Sequence, residues 1–142
     1  MDYLLSKEEI SQLSILEKKV KAELKDSRYR HTVSVAHCAA ALSMVHGAPL
    51  FKALAAGLLH DCAKCYTDDE LLSKCRKKGL PVREIEEVNP SLLHSKYGAY
   101  LAKEKYGITD DEILSAIECH TTGKPAMSLL DKIIFTADYI EP

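Results

Sequence analysis

The sequence has 142 residues, 46% hydrophobic and 28% charged, with a formal net charge of -2. That is enough chain for one domain with a sizeable core, and it lacks the basic excess of a general nucleic-acid or membrane binder. No apolar run approaches the roughly 20 residues of a membrane span, the start Met1-Asp2-Tyr3-Leu4-Leu5-Ser6 has no signal-peptide character, and five cysteines without an export signal read as reduced and cytoplasmic.

Ser6-Lys7-Glu8-Glu9 is a capping box opening a first helix. Its apolar stripe is Ile10, Leu13, Leu16 or Glu17, Val20 and Leu24, to about Lys25. Ser27 is the candidate cap of a second helix, running to His46 and closed by Gly47, with His31, Val35, Cys38, Leu42 and Val45 inward. Pro49 starts a third, which ends in Gly57-Leu58-Leu59-His60-Asp61-Cys62-Ala63-Lys64. Thr67-Asp68-Asp69-Glu70 caps a short polar helix stopped by Gly79-Leu80-Pro81, and an acidic connection runs from Arg83 to Val88. Asn89-Pro90 begins a helix carrying Leu93, His94, Tyr97 and Leu101 and ending at Gly107. Thr109-Asp110-Asp111-Glu112 is a further capping box, ahead of an inner face of Ile113, Ala116, Ile117 and His120 that Thr121-Thr122-Gly123-Lys124-Pro125 breaks. Ser128 caps a last helix with Leu130, Ile134, Ala137 and Asp138 inward. No alternating strand pattern, internal repeat or linker is present. The expected fold is all-α, one domain over residues 1–142, a bundle of six or seven helices.

The chemistry starts at His60-Asp61. Burying a charge is costly unless it is paired or bound to a metal, and the apolar Gly57-Leu58-Leu59 places this pair at the core. Adjacent helical residues are about 100° apart, so both can address one ion, with Lys64 a turn later on the same face. His31, His94 and His120 lie on or beside apolar faces of other helices, and Asp138 on another. A single such histidine is more often a hydrogen-bonded core residue; four with two inward carboxylates are expensive to bury separately, and gathering them on metal removes that cost. Imidazole and carboxylate donors suit iron, manganese, cobalt, zinc or nickel, and the lack of thiolate argues against a structural zinc site. Six ligands exceed one ion's usual protein share, so two ions bridged by Asp61 fit better. His37 points to another face and His46 sits at a helix C-terminus; neither belongs to the set.

The order His31, His60-Asp61, Asp138 resembles the HD-domain metal-dependent phosphohydrolases, and His94 with His120 resembles their dinuclear branch. Tyr29-Arg30-His31-Thr32, Gly57 to Lys64, Leu93-His94, His120-Thr121-Thr122-Gly123 and Ala137-Asp138-Tyr139-Ile140-Glu141-Pro142 resemble the YqeK-type family, the bacterial symmetrical bis(5'-nucleosyl)-tetraphosphatases, from about Ser27 onward. That family continues past the last block with an arginine and further helix, which this sequence does not reach.

The resemblance implies that His31, His60, Asp61, His94, His120 and Asp138 bind two transition-metal ions, iron by family, with Asp61 bridging and catalytic. It further implies that Ser34 touches phosphate or ribose, that Lys64 neutralises phosphate oxygens during catalysis, and that Leu93 and the Thr121-Thr122-Gly123 turn line the nucleotide pocket, beside His31, Asp61 and His94. In such sites ions about 3.5–4 Å apart generate the attacking hydroxide from a bridging water and clamp the leaving oxygen, so diadenosine tetraphosphate would give two ADP. The implied partner is a small-molecule dinucleotide, with no nucleic acid or membrane and a homodimer as the assembly to test. The competing expectations are hydrolysis of another nucleotide (a nucleoside monophosphate, cyclic dinucleotide or guanosine polyphosphate) and a non-catalytic nucleotide sensor, since fold and metal set do not separate these. Cys62-Ala63-Lys64-Cys65 invites a redox or zinc reading, but neither a βαβ pattern nor a second pair accompanies it.

Overall fold

Apolar residues at helical spacing, punctuated by caps, give eight α-helices and one 3-10 turn in the computed structural model, which describes residues 5–141. They are α1 (Lys7–Glu23), α2 (Asp26–His46), α3 (Leu50–Leu59), α4 (Asp68–Lys77), α5 (Glu84–Val88), the turn Pro90–Leu92, α6 (Leu93–Glu104), α7 (Asp111–Glu118) and α8 (Leu129–Ile140). The described residues contain no strand, so the all-α expectation holds, with eight helices where six or seven were expected. The additional one is α5, formed from the stretch read as an acidic connection. The Arg83 N–H donates to Glu86 Oε1 and seeds its first turn.

Three capping boxes behave as their sequences require: Ser6 with Glu9, Thr67 with Glu70, and Ser128 with Asp131. Three other helix starts differ. Lys25, not Ser27, precedes α2, and no side chain caps it. Asp110, not Thr109, caps α7 by accepting from the Glu112 N–H. Asn89 precedes a 3-10 turn opened by Pro90 ahead of α6, and its side chain makes no capping bond; its Oδ1 accepts from the Ser91 hydroxyl. Gly47, at φ 82°, ends α2 in the left-handed conformation that suits glycine.

The apolar α3 is the hub, packed by α1, α2, α7 and α8. Ala53, Ala55, Ala56, Gly57, Leu58 and Leu59 are all buried along it. Its approach to α2 is very close: a Cβ on Gly57 would lie 2.6 Å from Ala36 Cα. Val35 of α2 is buried as expected, with Cys38 and Leu42 half-buried, but Val45 is 76% exposed. Ile10, likewise placed on the inner stripe of α1, is exposed, while Leu16, Val20 and Leu24 pack.

Candidate metal centre

Three helices and two helix ends deliver the polar residues to one place. His31 comes from the second turn of α2, His60 and Asp61 from the end of α3, His94 from the first turn of α6, His120 from just after α7, and Asp138 from the last turn of α8. The helical placement of His60-Asp61 needs correction. The α-helix stops at Leu59, and Cys62 N–H to Leu59 O, Lys64 N–H to Asp61 O and Tyr66 N–H to Ala63 O form successive three-residue turns. Lys64, at the end of the second of these turns, is exposed. The cation against Asp61 is instead Arg28, whose Nη1 lies 3.1 Å from Asp61 Oδ2.

The histidines share one construction. His60 Nδ1 contacts Gly57 O at 2.7 Å, His94 Nδ1 contacts Ser91 O at 2.6 Å, and His120 Nδ1 contacts Ile117 O at 2.7 Å. A carbonyl can only accept, so each Nδ1 carries a proton and Nε2 is the nitrogen turned inward. This is the outer support that orients metal-ligating imidazoles. His31 differs in lying between two carboxylates, with Glu141 Oε2 2.8 Å from Nδ1 and Asp138 Oδ1 3.0 Å from Nε2.

The inward nitrogens divide over Asp61. His94 and His120 Nε2 lie 3.3 and 3.4 Å from Oδ1; His60 and His31 Nε2 lie 3.4 and 3.6 Å from Oδ2. Asp138 Oδ1 joins the second group, 3.0 Å from His31 Nε2 and 3.5 Å from His60 Nε2. His31, His60 and Asp138, and His60, Asp61 and His120, each bring ligand atoms close enough to share one ion.

The electrostatics ask for a cation. His60 is wholly buried and its Nε2 has no hydrogen-bond partner. His94 and His120 aim their Nε2 atoms at each other across 3.0 Å, although both Nδ1 protons are committed elsewhere. Burial would raise the Asp61 carboxyl, but the imidazoles packed against its oxygens, His60 first and then His120 and His94, hold it well below the usual carboxylate range. Burial opposes the ionised form of Asp138 too, and hydrogen bonding and charge from His60 reverse it. Burial would lower His60, yet the Asp61 charge and the Asp138 contact raise it. Burial keeps His120 low and neutral. Ionised carboxylates bind metal as they stand, and the proton that Asp61 and Asp138 favour on His60 is the one a bound cation would displace. The residues therefore fit a divalent ion.

Around the centre, Ser34 is half-buried on α2. Thr121, Thr122 and Gly123 line a cavity of about 490 Å³ with Leu92, Lys96 and Lys124. Leu93 needs correction: it has no exposed surface and belongs to the core, and its neighbour Leu92 reaches the cavity wall. His37 and His46 are exposed and outside the set. Cys62 is buried with its thiol donating to Gly98 O, while Cys65 is exposed. Burial raises both thiols, the opposite of an activated redox pair.

The HD domain family matches residues 28–142. The chain belongs to the HD domain family. The match begins at Arg28, the residue paired with Asp61, and leaves α1 outside. This HD domain is 46% identical over 123 residues to the "Bis(5'-nucleosyl)-tetraphosphatase, symmetrical" of Halalkalibacterium halodurans, covering 87% of the chain and 65% of that protein. It is 42% identical over 123 residues to the protein of the same name from Bacillus subtilis, covering 87% of the chain and 66% of the relative. The chain thus spans just under two thirds of the length of these relatives. A crystal structure from Clostridium acetobutylicum, described as a predicted HD superfamily hydrolase involved in NAD metabolism, superposes with a TM-score of 0.86 at 40% identity, covering 91% of this chain and 68% of that one.

Proposed function

We propose that this HD domain is a metal-dependent phosphohydrolase that splits diadenosine tetraphosphate at its centre into two ADP. The observation that carries the reaction type is the division of Asp61, one carboxylate oxygen toward His94 and His120 and the other toward His31 and His60. That arrangement suits two ion positions bridged by Asp61, with Asp138 completing the second. Divalent ions held there supply Lewis-acid polarisation of a phosphate and a nucleophile from water near neutral pH. Iron is the proposed metal, on the family resemblance.

The chain's own residues do the rest. Arg28 sits on the exposed side of Asp61 and can turn its guanidinium to a phosphate, which it recognises in bidentate fashion. Lys64 offers a second cation from the adjoining turn, and Ser34 a hydroxyl from α2. The Thr121-Thr122-Gly123 turn presents the cavity beside His120, within the usual range for a small-ligand pocket, as the seat of a nucleoside. The free cysteines fit a reducing compartment such as the cytoplasm. The choice of dinucleotide rests on the names of the relatives at 46% and 42% identity.

Chromatography of the reaction products tests the proposal. Two ADP per substrate are expected. ATP plus AMP, or turnover confined to another nucleotide class, overturns the substrate and leaves the metal centre standing. Metal analysis of protein prepared without chelator should find about two ions per chain; one ion with His94 and His120 unliganded would remove the bridged arrangement.

A further inference from the structure

Three of the four inward histidines are oriented by backbone carbonyls three residues earlier in the chain. These supports come with the local fold, and no side-chain substitution removes them. His31 is the exception. Its Nδ1 is held by the Glu141 carboxylate, 110 residues away, just past the end of α8. The Glu141 side chain is only 10% exposed, and His31 is its one hydrogen-bonding side-chain partner among the described residues. A buried carboxylate without a partner is costly, so the two groups fix each other. Nδ1 and Nε2 lie on opposite edges of the ring. Glu141 therefore faces away from Asp61 and Asp138, the carboxylates on the Nε2 side, and stands outside the ligand set.

We propose that Glu141 is a positioning residue for the metal centre: by accepting the Nδ1 proton of His31 it fixes the tautomer that turns Nε2 inward, and its negative charge makes His31 a stronger ligand than its three carbonyl-supported counterparts. Two consequences follow. The His31 position responds to substitution at a residue that touches no ligand atom of the centre. The junction between the last turn of α8 and the start of α2 is also closed by this contact, as Asp138 and Glu141 grip the two edges of one imidazole at 3.0 and 2.8 Å.

The inference rests on the metal-binding part of the proposed function and is independent of the substrate. The test uses the full chain and manganese(II) as the probe, with affinity measured by chelator competition. The His31 Hδ1 proton resonance of the zinc-loaded protein is followed alongside. Glu141→Ala should weaken manganese binding about 10- to 100-fold, the usual cost of losing an outer-shell partner. It should also bring the His31 Hδ1 into fast exchange with water. Glu141→Gln retains an acceptor oxygen but no charge; it should keep the Hδ1 signal and lose less affinity than the alanine variant. Affinity within twofold of the parent in Glu141→Ala, or a slowly exchanging His31 Hδ1 there, overturns the proposal. Loss of metal in Glu141→Gln equal to that in Asp138→Ala also overturns it, because that would make Glu141 a direct ligand.

Discussion

At the residue scale, the centre depends on Asp61 more than on any other single side chain, since all four inward imidazoles lie 3.3–3.6 Å from one or other of its oxygens. Asp61→Ala should abolish hydrolysis and weaken metal retention together, whereas His37→Ala, exposed and elsewhere on α2, should leave both intact. Metal content and turnover measured on the same preparations check this, and equal damage from both variants would contradict the assignment. The candidate ligand residues are legible in the sequence because four histidines and two acids on apolar faces are too costly to bury unless something gathers them. Arg28 is not. It is a long polar side chain in the first turn of α2, reaching Asp61 across 33 positions, and no local spacing announces that. Lys64 is read from the sequence as lying on an α-helix, whereas its segment winds in three-residue turns and the side chain is exposed. Removing one charge-stabilising group costs roughly 10²–10³ in rate. Arg28→Met should show that loss with metal retained, and Lys64→Met a smaller one; the reverse order in steady-state kinetics would restore Lys64 to the leading role.

At the scale of elements, the pairing of α2 and α3 sets the geometry of the centre, because it brings His31 and His60 together with ring centroids 5.4 Å apart. Gly57 permits that approach and also supplies the carbonyl that holds His60 Nδ1. Gly57→Ala pushes a methyl into the α2 backbone. Overpacking of this kind costs about 1–3 kcal/mol, a fall in Tm on the order of 3–10 °C for a domain of this size, and metal affinity should fall with it. Scanning calorimetry checks the first and chelator competition the second. The helices are readable because capping boxes and periodicity are local signals. The starts of α2 and α7 slip by a residue or two, where several polar residues compete for one cap. Helix α5 is not readable because its support is tertiary: Glu86 is buried, with the Lys96 ammonium 2.8 Å away. Burial pushes the Glu86 carboxyl up, but Lys96, the Arg83 backbone and the Arg83 side chain together bring it below its ordinary 4.5. Its ionised form therefore adds stability that is present above pH 4.5 and fades as pH falls through the lower folded value. Glu86→Gln should destabilise the protein at neutral pH and flatten the acid limb of its stability curve; denaturant melts between about pH 3 and 7 that run parallel to the parent's would contradict this.

For the whole molecule, the question is how far the centre and the core depend on each other. The candidate ligands tie α2, α6, α8, the end of α3 and the turn after α7 at a single point. The apolar cluster runs independently of them, from Leu16 and Val20 of α1 through α3 to Ile113, Ile117, Leu130 and Ile134. A zinc-finger-like domain unfolds without its metal because it has no such core. Here removal of metal should leave the helices in place and take away only the ligand's share of stability. An ion at 100 times its dissociation constant stabilises by about 2.7 kcal/mol, which for a chain of this length corresponds to a drop in Tm on the order of 5–15 °C. The loss arises locally: without a cation, the buried His60 Nε2 and the facing nitrogens of His94 and His120 are left against each other and against two carboxylates. Thermal melts by circular dichroism, with and without chelator and with manganese(II) added back, should show equal helicity at about 25 °C and a Tm that rises with metal concentration. A Tm indifferent to metal would mean that these six residues satisfy one another as a polar core. Loss of helicity on chelation would mean that the apolar cluster does not hold the fold alone.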